Sequence, residues 1–180
     1  MYGMVNKAVE DMVVTHHGEG VWEQIKQKAG VDVDVFVSSE GYPDEMTYAL
    51  VGAASEVLRT PASDILEAFG VHWVTQTAQN GYGDMMAAGG KTLSEFLKNL
   101  PNFHSRVSMI LPHLAPPRFL CTDIRDNSAR LHYISHRQGL APFVIGLFKG
   151  LGQRFSTPVS VQQVADRLTG AEHDEFTVSW

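Results

Sequence analysis

The spacing of the apolar residues changes once along this chain, and that change restricts the fold more than any other feature. Up to about residue 117 they recur at intervals of three and four, as on a helix; beyond it, short alternating stretches appear. Met4, Val5, Ala8, Val9, Met12 and Val13 form one stripe from Met1 to about His16, which His16, His17 and Gly18 end. A second helix is expected from Gly20 to Ala29, with Val21, Trp22 and Ile25 on one face, lysines in its last turns and Gly30 beyond. Asp44 is expected to cap a third, which runs through Tyr48, Val51 and Val57 to Leu58. A fourth opens at Thr60-Pro61, since proline suits the first helical position, and carries Leu66, Phe69, Trp73 and Val74. Gly81, Gly83, Gly89 and Gly90 then punctuate a region with one short helix.

Thr92-Leu-Ser-Glu95 reads as a capping box, and the longest stripe follows it: Leu93, Phe96, Leu97, Leu100, Phe103, Val107 and Ile110. Pro101 predicts a bend or break inside this helix, while Pro112, Pro116 and Pro117 bar its continuation. Phe119 to Ile124 and Leu131 to His136 then predict a hairpin around Asp126, Asn127 and Ser128. Helical spacing returns with Leu140, Phe143, Val144, Leu147, Phe148 and Leu151, and Val159 to Val161 and Phe176 to Trp180 predict closing strands. Helices first, then a small sheet with one helix, give an α+β architecture with antiparallel strands.

Composition limits what such a fold can do. With 180 residues, 44% of them hydrophobic, the chain is expected to form one globular domain over 1–180. A formal charge of −6 without any lysine and arginine block leaves no electrostatic footprint for nucleic acid or an anionic membrane. The single cysteine, Cys121, can form no internal disulfide and no multi-cysteine metal site, so a reducing cytoplasm is the expected compartment. No apolar run approaches about 18 residues. Charges break the opening MYGMVNKAVEDM where a signal peptide would be apolar, so the fold is expected to begin near Met1.

Two groups of residues could carry chemistry. Tyr133, Ser135 and Arg137 alternate, so an extended chain would point a phenol, a hydroxyl and a guanidinium from one face. That row suits a carboxylate or phosphate, which arginine can grip with two hydrogen bonds; an ordinary solvated strand face would show the same alternation. His104 shares the wheel position of Leu97, Leu100, Val107 and Leu111 and so faces or borders the core. It is either a hydrogen-bonded core histidine or a metal ligand. Without a second histidine at ligand spacing on that helix, ligation makes sense if a cofactor supplies the other ligands, as a haem porphyrin does. Haem also has two propionate carboxylates for the Tyr133, Ser135 and Arg137 row to hold.

These residues, with MYGMVNKA, VWEQIKQKAG, TYALVGAASEVL, EFLKNLPNFHSRV, PPRFLCTDI, LHYISHRQGL and VIGLFKGLG, resemble the H-NOX family of haem nitric oxide/oxygen binding domains over essentially the whole chain. The family includes the haem domain of soluble guanylate cyclase. YISHR fits its Y-x-S-x-R motif, and His104 precedes Pro112 and Pro116-Pro117 as the family's proximal histidine does. The resemblance implies a haem b (iron protoporphyrin IX) between a helical subdomain of about 1–60 and a haem-cradling subdomain of about 61–180. It implies His104 as the axial iron ligand, Tyr133, Ser135 and Arg137 on the propionates, and Pro112 packed against a distorted porphyrin. Arg137 is also expected to reach Asp44.

Family members that hold oxygen use a distal tyrosine on the helix after the propionate motif, where this chain has Phe143. Met1, Val5, Trp73, Phe143 and Leu147 are expected to line the pocket. Some relatives carry a zinc site built from cysteines and a histidine; here His173 remains without the cysteines, which excludes that site, and His132 and His136 read as surface or structural residues. The implied function is a non-enzymatic sensor that binds nitric oxide and carbon monoxide on ferrous iron but does not hold oxygen. Weakening of the iron–His104 bond would signal to a separate histidine kinase or cyclic-nucleotide enzyme. A peroxidase-like haem enzyme is the alternative, disfavoured because no distal histidine and arginine pair is evident to activate peroxide.

Overall fold

A computed structural model describes residues 1–110 and 117–180. The chain divides into two compact units, Met1–Phe69 and Gly70–Trp180. The first is helical: α1 (Gly3–His17), α2 (Glu19–Ala29), α3 (Asp44–Leu58) and the start of α4 (Ala62–His72). Its core contains Val9, Val13, Trp22, Ile25, Phe36, Leu50 and Ala54, the inward faces the apolar stripes specify. Gly30 ends α2 in the left-handed region at φ 67°, where its amide bonds back to the helix. Asp44 does not cap α3; as its first residue it accepts a bond from the Met1 ammonium at 2.5 Å, beside the positive helix end. The loop before α3 lies against α1 so closely that a Cβ on Gly3 would fall within 2.8 Å of Tyr42 Cε2.

The second unit holds the remaining helices and the sheet. From α4 the chain passes without a break through a five-residue π-helical turn, Trp73–Thr77, into α5 (Ala78–Ala88). Gly81 and Gly83 flank the one departure from helix: Tyr82 between them is non-helical (φ −138°, ψ 21°), so two helical segments meet at a kink where the glycines punctuate the sequence. Helix α6 (Leu93–Ile110) starts at a modified cap: Thr92 Oγ1 accepts from Glu95 N at 3.2 Å, while Glu95 Oε2 accepts from Lys91 N at 2.8 Å. Pro101 lies inside it, and the helix runs on past the proline to Ile110.

Strands β1 (Arg118–Thr122), β2 (Ser128–Ile134), β3 (Ser160–Ala165) and β4 (Asp174–Ser179) form one antiparallel sheet in the order β1-β2-β4-β3, and α7 (Ala141–Arg154) packs beside it. The fold is α+β. Alternation sends Leu131 and Tyr133 of β2, with Phe176 and Val178 of β4, into a core shared with Phe96, Leu97, Leu100, Val144 and Phe148. No helix is long and apolar enough to cross a membrane among the described residues.

Candidate functional site

On α6, Phe96, Leu97 and Leu100 are buried, and the same face carries half-buried His104 one turn further on. His104 Nδ1 lies 3.1 Å from the carbonyl oxygen of Leu100. A carbonyl only accepts, so Nδ1 carries the proton and, in the neutral ring, Nε2 keeps its lone pair. Burial lowers the pKa of the ring below that of an ordinary histidine, against the opposing pull of the Leu100 carbonyl, so the neutral form prevails at pH 7. Phe119 of β1 stacks on the imidazole at 5.0 Å and 27°, and Phe103 meets it edge-on at 5.5 Å. One ring nitrogen is thus fixed by the backbone and the ring plane by two aromatics, so the lone pair on Nε2 has a defined direction and could serve a metal.

Tyr133, Ser135 and Arg137 do not form the single extended row that alternation predicted. Strand β2 ends at Ile134, so only Tyr133 belongs to it, buried at 4% exposure against Phe119 at 5.2 Å. Ser135 then accepts from the Arg137 backbone amide through Oγ at 3.1 Å, a local turn that competes with strand pairing and stops the ladder. Arg167 Nη1 donates to the Ser135 carbonyl oxygen and holds the turn from the β3–β4 connection. Arg167 is fixed in turn by Asp174: its backbone amide donates to buried Asp174 Oδ1 at 3.0 Å. The turn draws the Arg137 backbone to Ser135 just past the end of the strand that holds Tyr133.

Trp73 begins the π turn and meets Phe143 of α7 edge-on at 6.5 Å. The crossing is tight because both sides use glycine. A Cβ on Gly70 would lie 2.6 Å from Leu147 N and 2.8 Å from the Gly146 carbonyl carbon, and one on Gly150 would lie 2.9 Å from Val74 Cβ. Sequence reading missed Gly70, Gly146 and Gly150 because a glycine inside a helix announces no contact of its own. The π turn carries one extra residue per turn and is frequent at functional sites. Trp73, Phe103 and Leu147 pack against the core cluster yet stay only half-buried, and Phe143 is half-buried too. In the first unit, Met1 and Val5 are also half-buried on or beside α1. Pro112 lies outside the described residues.

A family described as Haem-NO-binding matches residues 2–163. The soluble guanylate cyclase gcy-31 of Caenorhabditis elegans is 26% identical over 175 residues, covering 97% of this chain and 24% of its own length. Another from that organism, gcy-33, is 30% identical over 155 residues, covering 86% of this chain and 16% of its own. The chain therefore spans a quarter or less of the length of these relatives. Among solved structures, an H-NOX protein from S. oneidensis in the Fe(II)NO ligation state superposes with a TM-score of 0.89 at 23% identity, over 99% of this chain and 98% of that one. The Fe(II) unliganded H-NOX protein from K. algicida gives 0.82 at 20% identity, over 99% and 96%. At these identities the likeness is one of fold.

Proposed function

The chain belongs to the haem-NO-binding family, and from that premise we propose that it is a haem-based gas sensor taking nitric oxide and carbon monoxide at ferrous iron. The observation that carries the reading is the state of His104: a neutral imidazole, its Nδ1–H committed to Leu100 and its Nε2 left as a ligand atom. The surroundings fit a haem. Large apolar side chains at Trp73, Phe103, Phe143 and Leu147 leave surface to cover a porphyrin, and Tyr133, Ser135 and Arg137 offer a phenol, a hydroxyl and a guanidinium to carboxylates. Pro112 is proposed as a further contact of the ring, and Met1 and Val5 as distal lining.

Haem b, when bound, would be held at its iron by His104 and would supply the metal on which diatomic gases bind. The residues of this chain do the rest. His104 is continuous with α6, so a loosened hold on its imidazole would be felt by a helix that packs into the core through Phe96, Leu97 and Leu100. The backbone bond to Leu100 keeps the imidazole from turning away, so a change at Nε2 becomes a change in the load on the helix. A ligand that acts differently on two positions of α6 shifts their populations, which is what a sensor requires. Phe143 presents no hydrogen-bond donor where a bound dioxygen would need one, and this supports discrimination against oxygen.

The output is proposed to reach a separate histidine kinase or a cyclic-nucleotide enzyme, the second supported by the guanylate cyclase relatives. The domain itself is proposed to be non-enzymatic and to act in the cytoplasm. The test is His104→Gly expressed with and without imidazole. The expected result is haem retained only with imidazole, which occupies the vacated position. Full haem occupancy and an unchanged ferrous spectrum without imidazole would overturn the assignment.

A further inference from the structure

The outer face of the sheet carries a cluster that the haem reading leaves unused. His132 of β2 stands opposite Glu175 of β4 in the antiparallel register, and His173 precedes β4. His132 Nδ1 lies 3.0 Å from His173 Nε2, and each of these nitrogens lies 3.4 Å from the same oxygen, Glu175 Oε1. All three side chains are half-buried. Among the described residues this is the group of histidine, cysteine and acidic side chains with its donor atoms gathered this closely.

We propose that His132, His173 and Glu175 form a binding site for a divalent transition metal of the zinc class. The triangle has the dimensions of one face of a coordination tetrahedron. With metal–nitrogen and metal–oxygen bonds of about 2.0–2.2 Å, neighbouring ligands stand about 3.3–3.6 Å apart, so edges of 3.0, 3.4 and 3.4 Å need only a few tenths of an ångström of adjustment. Hydrogen bonding alone satisfies the trio less well. A proton between two of the atoms serves one edge, whereas a cation at the centre serves all three.

The outer groups are those that orient metal ligands. His132 Nε2 lies 2.9 Å from Thr122 Oγ1, which fixes the ring and directs Nδ1 inward, and Arg130 Nη1 lies 3.5 Å from Glu175 Oε2, which leaves Oε1 facing the histidines. Two imidazoles and one carboxylate suit zinc and its neighbours better than calcium or magnesium, which prefer all-oxygen sets. The fourth position would take water. The site joins residues 41 apart in sequence, so the ion would tie the segment before β4 to the middle of the sheet. It requires no cysteine, unlike the zinc site that the absence of cysteines excluded.

The test uses the haem-loaded chain, incubated with zinc sulfate and dialysed against chelator-free buffer, with zinc and iron counted separately by mass spectrometry. The expected result is one zinc per chain, falling at least tenfold in affinity in His173→Ala and in Glu175→Gln. Thr122→Ala, which removes only an orienting partner, should weaken binding by about 10–100-fold. Circular dichroism and the haem spectrum verify that each variant folds. Should one not fold, anomalous diffraction at the zinc edge from the parent protein locates the ion directly. Zinc retained equally by His173→Ala, density at another place such as His16–His17, or no retained zinc would each overturn the proposal.

Discussion

Replacing Gly70 by alanine probes the packing that sets Trp73 beside Phe143. The new methyl group would sit 2.6 Å from Leu147 N and 2.8 Å from the Gly146 carbonyl carbon, against ordinary contacts of 3.4–4 Å. Its partners are backbone atoms of α7, so no side chain can swing aside, and α7 must move as a body. Overpacking of this kind costs about 3 kcal/mol. Alanine recovers about 1 kcal/mol from its better helix propensity. The net loss is therefore about 2 kcal/mol, a fall in Tm of about 4–8 °C for a chain of this size. Gly52→Ala on α3 is the matched control: nothing lies within 4 Å of the added methyl, so only the propensity gain remains and Tm should rise by about 2–4 °C. Thermal denaturation followed by far-ultraviolet circular dichroism measures both. A Gly70→Ala protein as stable as the parent, or a pair of variants shifting in the same direction, would refute the claim that close helix contact decides the outcome.

Phe143→Tyr should add one to two decades to oxygen affinity, since a hydrogen bond to the charged outer oxygen is worth roughly 1.5–3 kcal/mol; flash photolysis under oxygen measures it, and no change would remove Phe143 from the distal wall. Arg137→Ala should speed haem transfer to apomyoglobin by about tenfold or more through loss of a charge-assisted bond, whereas an unchanged rate would remove the arginine from the propionates. The thiol of Cys121, pushed up to about 11 by burial, should be about one part in a thousand thiolate at pH 8. A thiol-disulfide reagent should then react slowly, accelerating as pH approaches 11; fast reaction at pH 8 would mean that the strand leaves the thiol exposed.

What could be read in advance was what depends on neighbours in sequence. The stripe on α6, the Thr92–Glu95 cap, the Gly30 stop and the hairpin around Asn127 each arise within a few residues, and local patterning gave the helices-then-sheet order. His104 stood out because one imidazole interrupts an apolar stripe. The end of β2 was misread because Ser135 satisfies the Arg137 amide locally, an alternative to strand pairing that alternation does not reveal. The π turn at Trp73 and the glycine contacts with α7 follow from packing between distant segments, as does the meeting of His132 with His173 across the β2–β4 pairing. Gly81 and Gly83 mark a break that is local as well: Tyr82 between them leaves the helical region, and the chain kinks there.

The most direct test of the gas-sensing account is the absorption spectrum of the purified haem-loaded protein, reduced under anaerobic conditions and exposed in turn to air, carbon monoxide and nitric oxide. The account predicts a five-coordinate, histidine-ligated ferrous haem whose spectrum shifts with carbon monoxide and with nitric oxide and shows no stable oxygen complex in air. A long-lived oxygen complex would contradict the role given to Phe143, and a ferrous protein that ignores both carbon monoxide and nitric oxide would contradict the account as a whole.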